Sequence, residues 1–124
     1  MSGSAEEIAS LDAKIRHNEI AKALSEAGRF EEALARVDRL IKWLGDPADP
    51  VLRVVLAEAM AEKASALSEL AVRRSDGITM SKSNWVCEDI VKRFGGDEDP
   101  ELIRLVEWAI SELPPKRRLR PWRR

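Results

Sequence analysis

Ile41-Lys42-Trp43-Leu44-Gly45 leads into Asp49-Pro50, and fifty residues further on Val91-Lys92-Arg93-Phe94-Gly95 leads into Asp99-Pro100. The stretch upstream recurs as well: Glu19, Ala21, Ala23, Leu24, Ser25 and Glu26 match Glu62, Ala64, Ala66, Leu67, Ser68 and Glu69 at an offset of 43. The two offsets differ by seven, so about seven residues enter the second copy between Leu70 and Trp85. A repeat of this period is the signature of paired helices that cannot bury their apolar faces alone and stack to make one core. The repeat predicts an all-α chain, a stack of antiparallel helical hairpins.

The helix boundaries follow from local chemistry. Ser4 with Glu7 has capping-box spacing and predicts a helix from about Ala5. Ile8, Leu11, Ile15, Ile20 and Leu24 supply its apolar face, and Gly28 ends it. Phe30 opens a second helix with Ala33, Leu34, Val37, Leu40, Ile41 and Leu44 inward, closed by Gly45. Asp49-Pro50 and Asp99-Pro100 pair a capping carboxylate with a proline suited to the first helical position. They start a third helix over about 50–70 and a fifth, which Pro114-Pro115 ends. The third is rich in Ala, Val and Leu and is expected to be the most buried. The fourth, about 84–94, repeats the second with Cys87 in the place of Val37. One domain spans 1–113, with units at about 7–49 and 50–99 and a half-unit at 100–113, followed by a tail at 114–124.

Residues 71–83 break the repeat and read as an inserted loop, with Asp76-Gly77 as a turn and serines before the next helix. The loop candidates are Arg73, Arg74, Asp76, Ile78, Met80, Lys82 and the adjoining Trp85, read either as a functional loop or as a tolerated insertion.

Gly28-Arg29-Phe30-Glu31-Glu32-Ala33 resembles the turn between the two helices of a tetratricopeptide repeat, in which a glycine turns the chain, an aromatic packs back and a small residue lets the helices approach. Ile20, Ala21 and Leu24 look like that family's apolar and small positions of the first helix. The unit here is 43 residues rather than the usual 34, and His17 stands where tryptophan is usual. The Gly-aromatic-Ala turn is missing from the second unit. The resemblance implies that the stack is right-handed, a non-catalytic scaffold binding a protein or peptide in a groove lined by the first helix of each hairpin. Its implied lining is Ile15, Asn18, Lys22 and Ser25, then Glu58, Ala61, Ser65 and Ser68, then Trp108 and Ser111. Asn18 and Lys22 occupy two places of the carboxylate clamp some members carry, but Ala61 and Ser65 leave it incomplete.

Nothing in the pattern calls for catalysis, a cofactor or a metal. His17 is the only histidine and has no Cys or Asp at ligand spacing, so it reads as a half-buried helix side chain. Cys87 reads as a small core residue, and a single cysteine suits a reducing, cytoplasmic setting. No apolar run reaches the ~18 residues a membrane span needs. Core packing is the expectation for Trp43 and Trp108, whereas exposure of Trp85 or Trp108 would mark a partner surface.

The net charge of −1 hides an asymmetry. Lys116, Arg117, Arg118, Arg120, Arg123 and Arg124 surround Trp122, and without these six cations 15 basic face 22 acidic residues, a balance of −7. The tail reads as a solvated terminus, as a nucleic-acid contact through phosphates and indole stacking, or as a segment lying in its own or a neighbour's acidic groove. Few units leave apolar end faces, which predicts a homodimer. The Met-Ser-Gly-Ser start reads as a flexible or cloning leader, and with the one irregular segment it suggests an engineered helical repeat carrying a designed interface or grafted loop.

Overall fold

The computed structural model describes residues 5–115, with side chains described from residue 10. The capping-box pair Ser4 and Glu7, Ile8 and the tail cations with Trp122 therefore lie outside the described residues or side chains. Five helices follow one another: α1 (Ala5–Glu26), α2 (Phe30–Leu44), α3 (Pro50–Arg74), α4 (Gly77–Phe94) and α5 (Pro100–Glu112). No strand occurs among the described residues. Each helix packs on the next, and α3 also packs on α1 and α5. Central placement explains its composition: ten α3 residues, from Val55 to Ala71, are buried.

The start signals work as their chemistry predicts. Asp49 Oδ1 accepts from the backbone N–H of Val51 at 2.8 Å and of Leu52 at 3.3 Å, and Asp99 Oδ1 accepts from Glu101 at 2.9 Å. Both prolines follow directly, where a missing N–H leaves no bond unmade. Arg53, early in α3, reaches Asp97 Oδ2 at 3.1 Å and its guanidinium lies 5.1 Å from the Phe94 ring centroid. One arginine thus ties the start of α3 to the end of α4 and the turn before α5.

The offset of fifty recurs as burial. Val37 and Cys87 are each 1% exposed, and Leu40 and Ile90 are both fully buried. Ala33 corresponds to Ser83, also buried, whose hydroxyl donates to the Ala64 carbonyl at 2.8 Å. The small Ser83 side chain lets α4 sit close on α3, bonded to its backbone.

The inserted loop of the sequence reading does not exist. Residues 71–74 belong to α3, and α4 begins at Gly77, so Arg73, Arg74, Ile78, Met80, Lys82 and Trp85 are helical and Asp76 is an N-cap. Both turns close with the same motif. After α1, Arg29 N donates to Leu24 O and Gly28 N to Ser25 O, each at 2.9 Å, with Gly28 at φ +79°. After α3, Asp76 N donates to Ala71 O at 2.9 Å and Ser75 N to Val72 O at 3.3 Å, with Ser75 at φ +51°. Both are Schellman closures. The second was hidden because a serine holds the left-handed position that glycine normally marks. Asp76 then accepts from Ile78 N, Thr79 N and Thr79 Oγ1, starting α4 at once. The extra residues therefore became helix: α3 ends at 74 where the repeat maps α1's end to 69, and α4 starts at 77 where Phe30 maps to 80. Left-handed backbone costs a side-chain-bearing residue about 1–2 kcal/mol, partly offset by glycine's greater unfolded entropy. Ser75→Gly should accordingly raise stability by up to about 1 kcal/mol in urea titration, whereas Gly28→Ser should lower it.

Two apolar assignments also change. Ile20 is 37% exposed, because α1 turns Asn18 and Ala21 toward its neighbours and residue 20 lies about 200° round the helix from Asn18. Trp43 is 46% exposed rather than a core residue. Its repeat partner is Arg93, also exposed, so position 43 is a surface position in both copies. Trp43 is instead held edge-on by His17, ring centroids 5.8 Å apart, with Lys14 Nζ 5.0 Å from its ring.

Candidate functional site

Among the clefts of the described residues, two that hold residues singled out from sequence open on different sides of α3. The first lies between α1 and α3 and takes in part of the expected groove. Asn18 is 3% exposed and its Nδ2 donates to Glu58 Oε1 at 3.1 Å; Lys22 Nζ stands 3.8 Å from the same oxygen. Ser25 and Ser65 line a cleft of about 330 Å³ with Lys22, Glu26, Phe30, Glu62, Ala66 and Glu69. The Glu62 carboxyl is held above its ordinary range, first by burial and further by Glu26 and Glu58, with Lys22 and Ser25 opposing.

Other expected groove residues are distributed differently. Ile15, Ala61 and Trp108 are partly buried and pack against the core. Ser68 is half-buried, and exposed Ser111 donates back to the Trp108 carbonyl at 2.6 Å, within its own helix. Asn18, Lys22 and Glu58 thus come together, and Arg104 of α5 feels the Glu58 charge while bonding Glu101 at 2.6 Å. This face is a network of paired charges rather than a row of free clamp residues.

The second cleft is larger, about 680 Å³, and lies between α2 and α4 over α3. Leu34, Leu67 and Val86 give it an apolar floor, and Trp85 stands at it 57% exposed. Lysines 63, 82 and 92 and acids Asp38, Glu88 and Asp89 complete the lining. Lys63 Nζ is 2.8 Å from Asp38 Oδ1, bridging α3 to α2 across the floor. Trp85, Asp89 and Lys92 recur at helical spacing along α4, so one stripe of that helix faces the opening. Lys82 and Trp85, read from sequence as loop neighbours, meet here because α4 begins eight residues before the tryptophan (77 against 85). Leu34, Asp38 and Lys63 were missed. The signal was available: Leu34 pairs by repeat with Asn84, and a leucine in one copy facing an amide in the other marks a position not shared by both cores.

The remaining sequence-selected groups have structural roles. Arg73 lies over the Phe30 ring at 4.7 Å and Arg74 pairs with Glu31, joining the end of α3 to the start of α2. Exposed Ile78 is on the first turn of α4. His17 is half-buried, with Nδ1 3.4 Å from Arg36 Nη1; burial, then Arg36 and Arg39, hold its pKa below the ordinary value. Cys87 is buried, its thiol pushed up to about 12 by burial and then by Glu112 and Glu88. Among the described residues, no three or more His, Cys, Asp or Glu are grouped to hold a metal ion, and no helix is long and apolar enough to cross a membrane. Compared with known proteins, this sequence matches no family model, no curated protein and no solved structure.

Proposed function

We propose that this chain is a non-catalytic, tetratricopeptide-like scaffold, a right-handed stack of helical hairpins that binds a protein segment in the α2–α3–α4 cleft. The observation that carries the reading is Trp85, 57% exposed beside an apolar floor of Leu34, Leu67 and Val86. A large aromatic left in water beside an apolar depression is the composition of an interface hot spot. An apolar side chain of the partner would enter the depression, with the indole closing over it and the flanking lysines and carboxylates orienting the segment. Neither the buried, protonated Cys87 thiol nor half-buried His17 offers a better-supported chemistry.

The test is selection of binders from a random peptide library against the full chain, followed by titration of the best peptides against Trp85→Ala. A hot-spot tryptophan is worth about 2 kcal/mol or more, so affinity should fall roughly 30-fold. The melting temperature should hardly move, since the indole is mostly exposed. Peptides that bind Trp85→Ala as tightly as the native chain would place the site elsewhere.

A further inference from the structure

Trp43 stands 46% exposed on α2 amid a group of cations. Glu32, Arg36, Arg39 and Trp43 recur at helical spacing and form one stripe of that helix. Lys14 and His17 of α1 face it. Lys14 Nζ is 5.0 Å from the indole centroid, and His17 Nδ1 accepts from Arg36 Nη1 at 3.4 Å. Arg39 lies near enough to His17 to help hold its pKa down. The carboxylate of this stripe, Glu32, is already taken by Arg29 through two bonds of 2.6 Å. Arg53, Lys63 and Arg74 each meet a carboxylate as well. Lys14, Arg36 and Arg39, by contrast, form no ion pair with any described residue. Like charges gathered round an exposed indole repel one another, and a bound anion relieves that repulsion.

We propose that Lys14, Arg36, Arg39 and Trp43 bind a short segment of single-stranded nucleic acid, with one base stacked on the indole and the adjoining phosphates on the three cations. Both halves of that ligand are matched. A guanidinium offers phosphate a planar fork of donors, and a phosphate backbone supplies the negative charge this surface lacks. An exposed indole accepts any base, because every base has a π-face. The spacing also fits: Arg36 and Trp43 are about 10 Å apart along α2, the rise of about three stacked nucleotides. Lys14 is a single flexible side chain, which leaves the indole for a phosphate as the base arrives. His17 stays as a seat, accepting from Arg36 and standing edge-on to Trp43 with ring centroids 5.8 Å apart. A duplex keeps its bases stacked within itself and offers none to the indole, so the ligand is a single strand. This surface is separate from the α2–α3–α4 cleft, because Leu34 and Asp38 of the cleft lie about 200° round α2 from Arg36.

The experiment is fluorescence anisotropy of a short labelled oligothymidine at several salt concentrations. It uses the full chain, natively and with the cations of 116–124 changed to glutamine, so that the tail cannot mask the effect. In both backgrounds the oligonucleotide should bind. Trp43→Ala should weaken binding about tenfold, and Trp43→Phe, which keeps an aromatic face, should retain most of the affinity. Changing Arg36 and Arg39 together to glutamine should lower the slope of log affinity against log salt by about 1.4, the share of two single-strand phosphates. Trp85→Ala should leave both quantities unchanged, so failure here and failure of the cleft proposal are told apart. No binding once the tail cations are gone would overturn the proposal. So would an affinity and salt slope in that background that survive both Trp43→Ala and the double glutamine change. A duplex bound as tightly as the single strand, with Trp43→Ala silent, would leave only a generic polycation and overturn it too. Binding to phosphatidylserine vesicles without binding to the oligonucleotide would assign the surface to a membrane instead and overturn it.

Discussion

Phe94→Ala should remove about 3–5 kcal/mol of folding stability, the usual effect of emptying a packed aromatic site. Phe94 is 2% exposed and joins a core made by Leu40, Leu56, Ile90 and Leu102 from four different helices. The ring also seats the Arg53 guanidinium, which Asp97 holds from the other side. Truncation leaves a cavity and removes the apolar support of that ion pair together. Domains of this size have about 5–15 kcal/mol in total, so the variant should lose a third or more of a typical margin of about 10 kcal/mol. Urea unfolding followed by circular dichroism measures this, with the midpoint falling and the slope unchanged. Arg93→Ala is the matched control: it neighbours Phe94 but is exposed, with only a helical-surface pair to Asp89, and should change stability by less than about 0.5 kcal/mol. Equal losses from the two variants would contradict the packing described for α4.

Cys87 provides the second large effect, and it is chemical. Its thiol is raised from 9.0 to about 12 by burial, with Glu112 and Glu88 adding to the shift. Near pH 8 the folded chain then holds roughly a thousandfold less thiolate than an unfolded chain, and the thiolate is the reactive form. Alkylation should therefore be at least about 10³-fold slower in buffer than in denaturing urea. The same shift has a stability consequence of definite sign. Below pH 9 the thiol is protonated in both states and contributes no pH dependence. Between pH 9 and about 12 the unfolded chain has lost a proton that the folded chain keeps, so stability falls by about 1.4 kcal/mol per pH unit from this group. Cys87→Val, which restores the residue at the equivalent first-repeat position, should remove that component of the alkaline decline. Rapid alkylation of the native chain at pH 8 would show that α4 opens far more readily than its burial implies.

How much was legible depended on which positions the two copies share. Where both copies carry the same or similar residues the sequence was explicit: Asp-Pro starts, Gly45 and Gly95 after α2 and α4, and the buried pairs Val37 with Cys87 and Leu40 with Ile90. Where one copy used a different residue for the same geometry, reading failed. Ser75 closes α3 as Gly28 closes α1, and because a serine carries no such label the following turns of α4 read as a loop. Trp43 shows the opposite error, in which residue type suggested burial although its partner Arg93 already marked a surface position. The α2–α3–α4 cleft was only partly readable, since Lys82 and Trp85 were noticed but Leu34, Asp38 and Lys63 reach it through packing across three helices. The expected groove suffered from the converse difficulty: the family resemblance implied that Asn18, Lys22 and Glu58 line one groove, but it does not reveal that they satisfy one another.

The position of α3 against every other helix has a consequence for how the chain comes apart. In long repeat arrays each unit touches only its neighbours, so ends can fray while the middle persists. Here α1, α2, α4 and α5 all rest on the same 25-residue helix, and none can leave without exposing part of it to water. The fold has no independent parts to lose, and its unfolding should be a single all-or-none event, seen as coincident urea transitions by circular dichroism and tryptophan fluorescence.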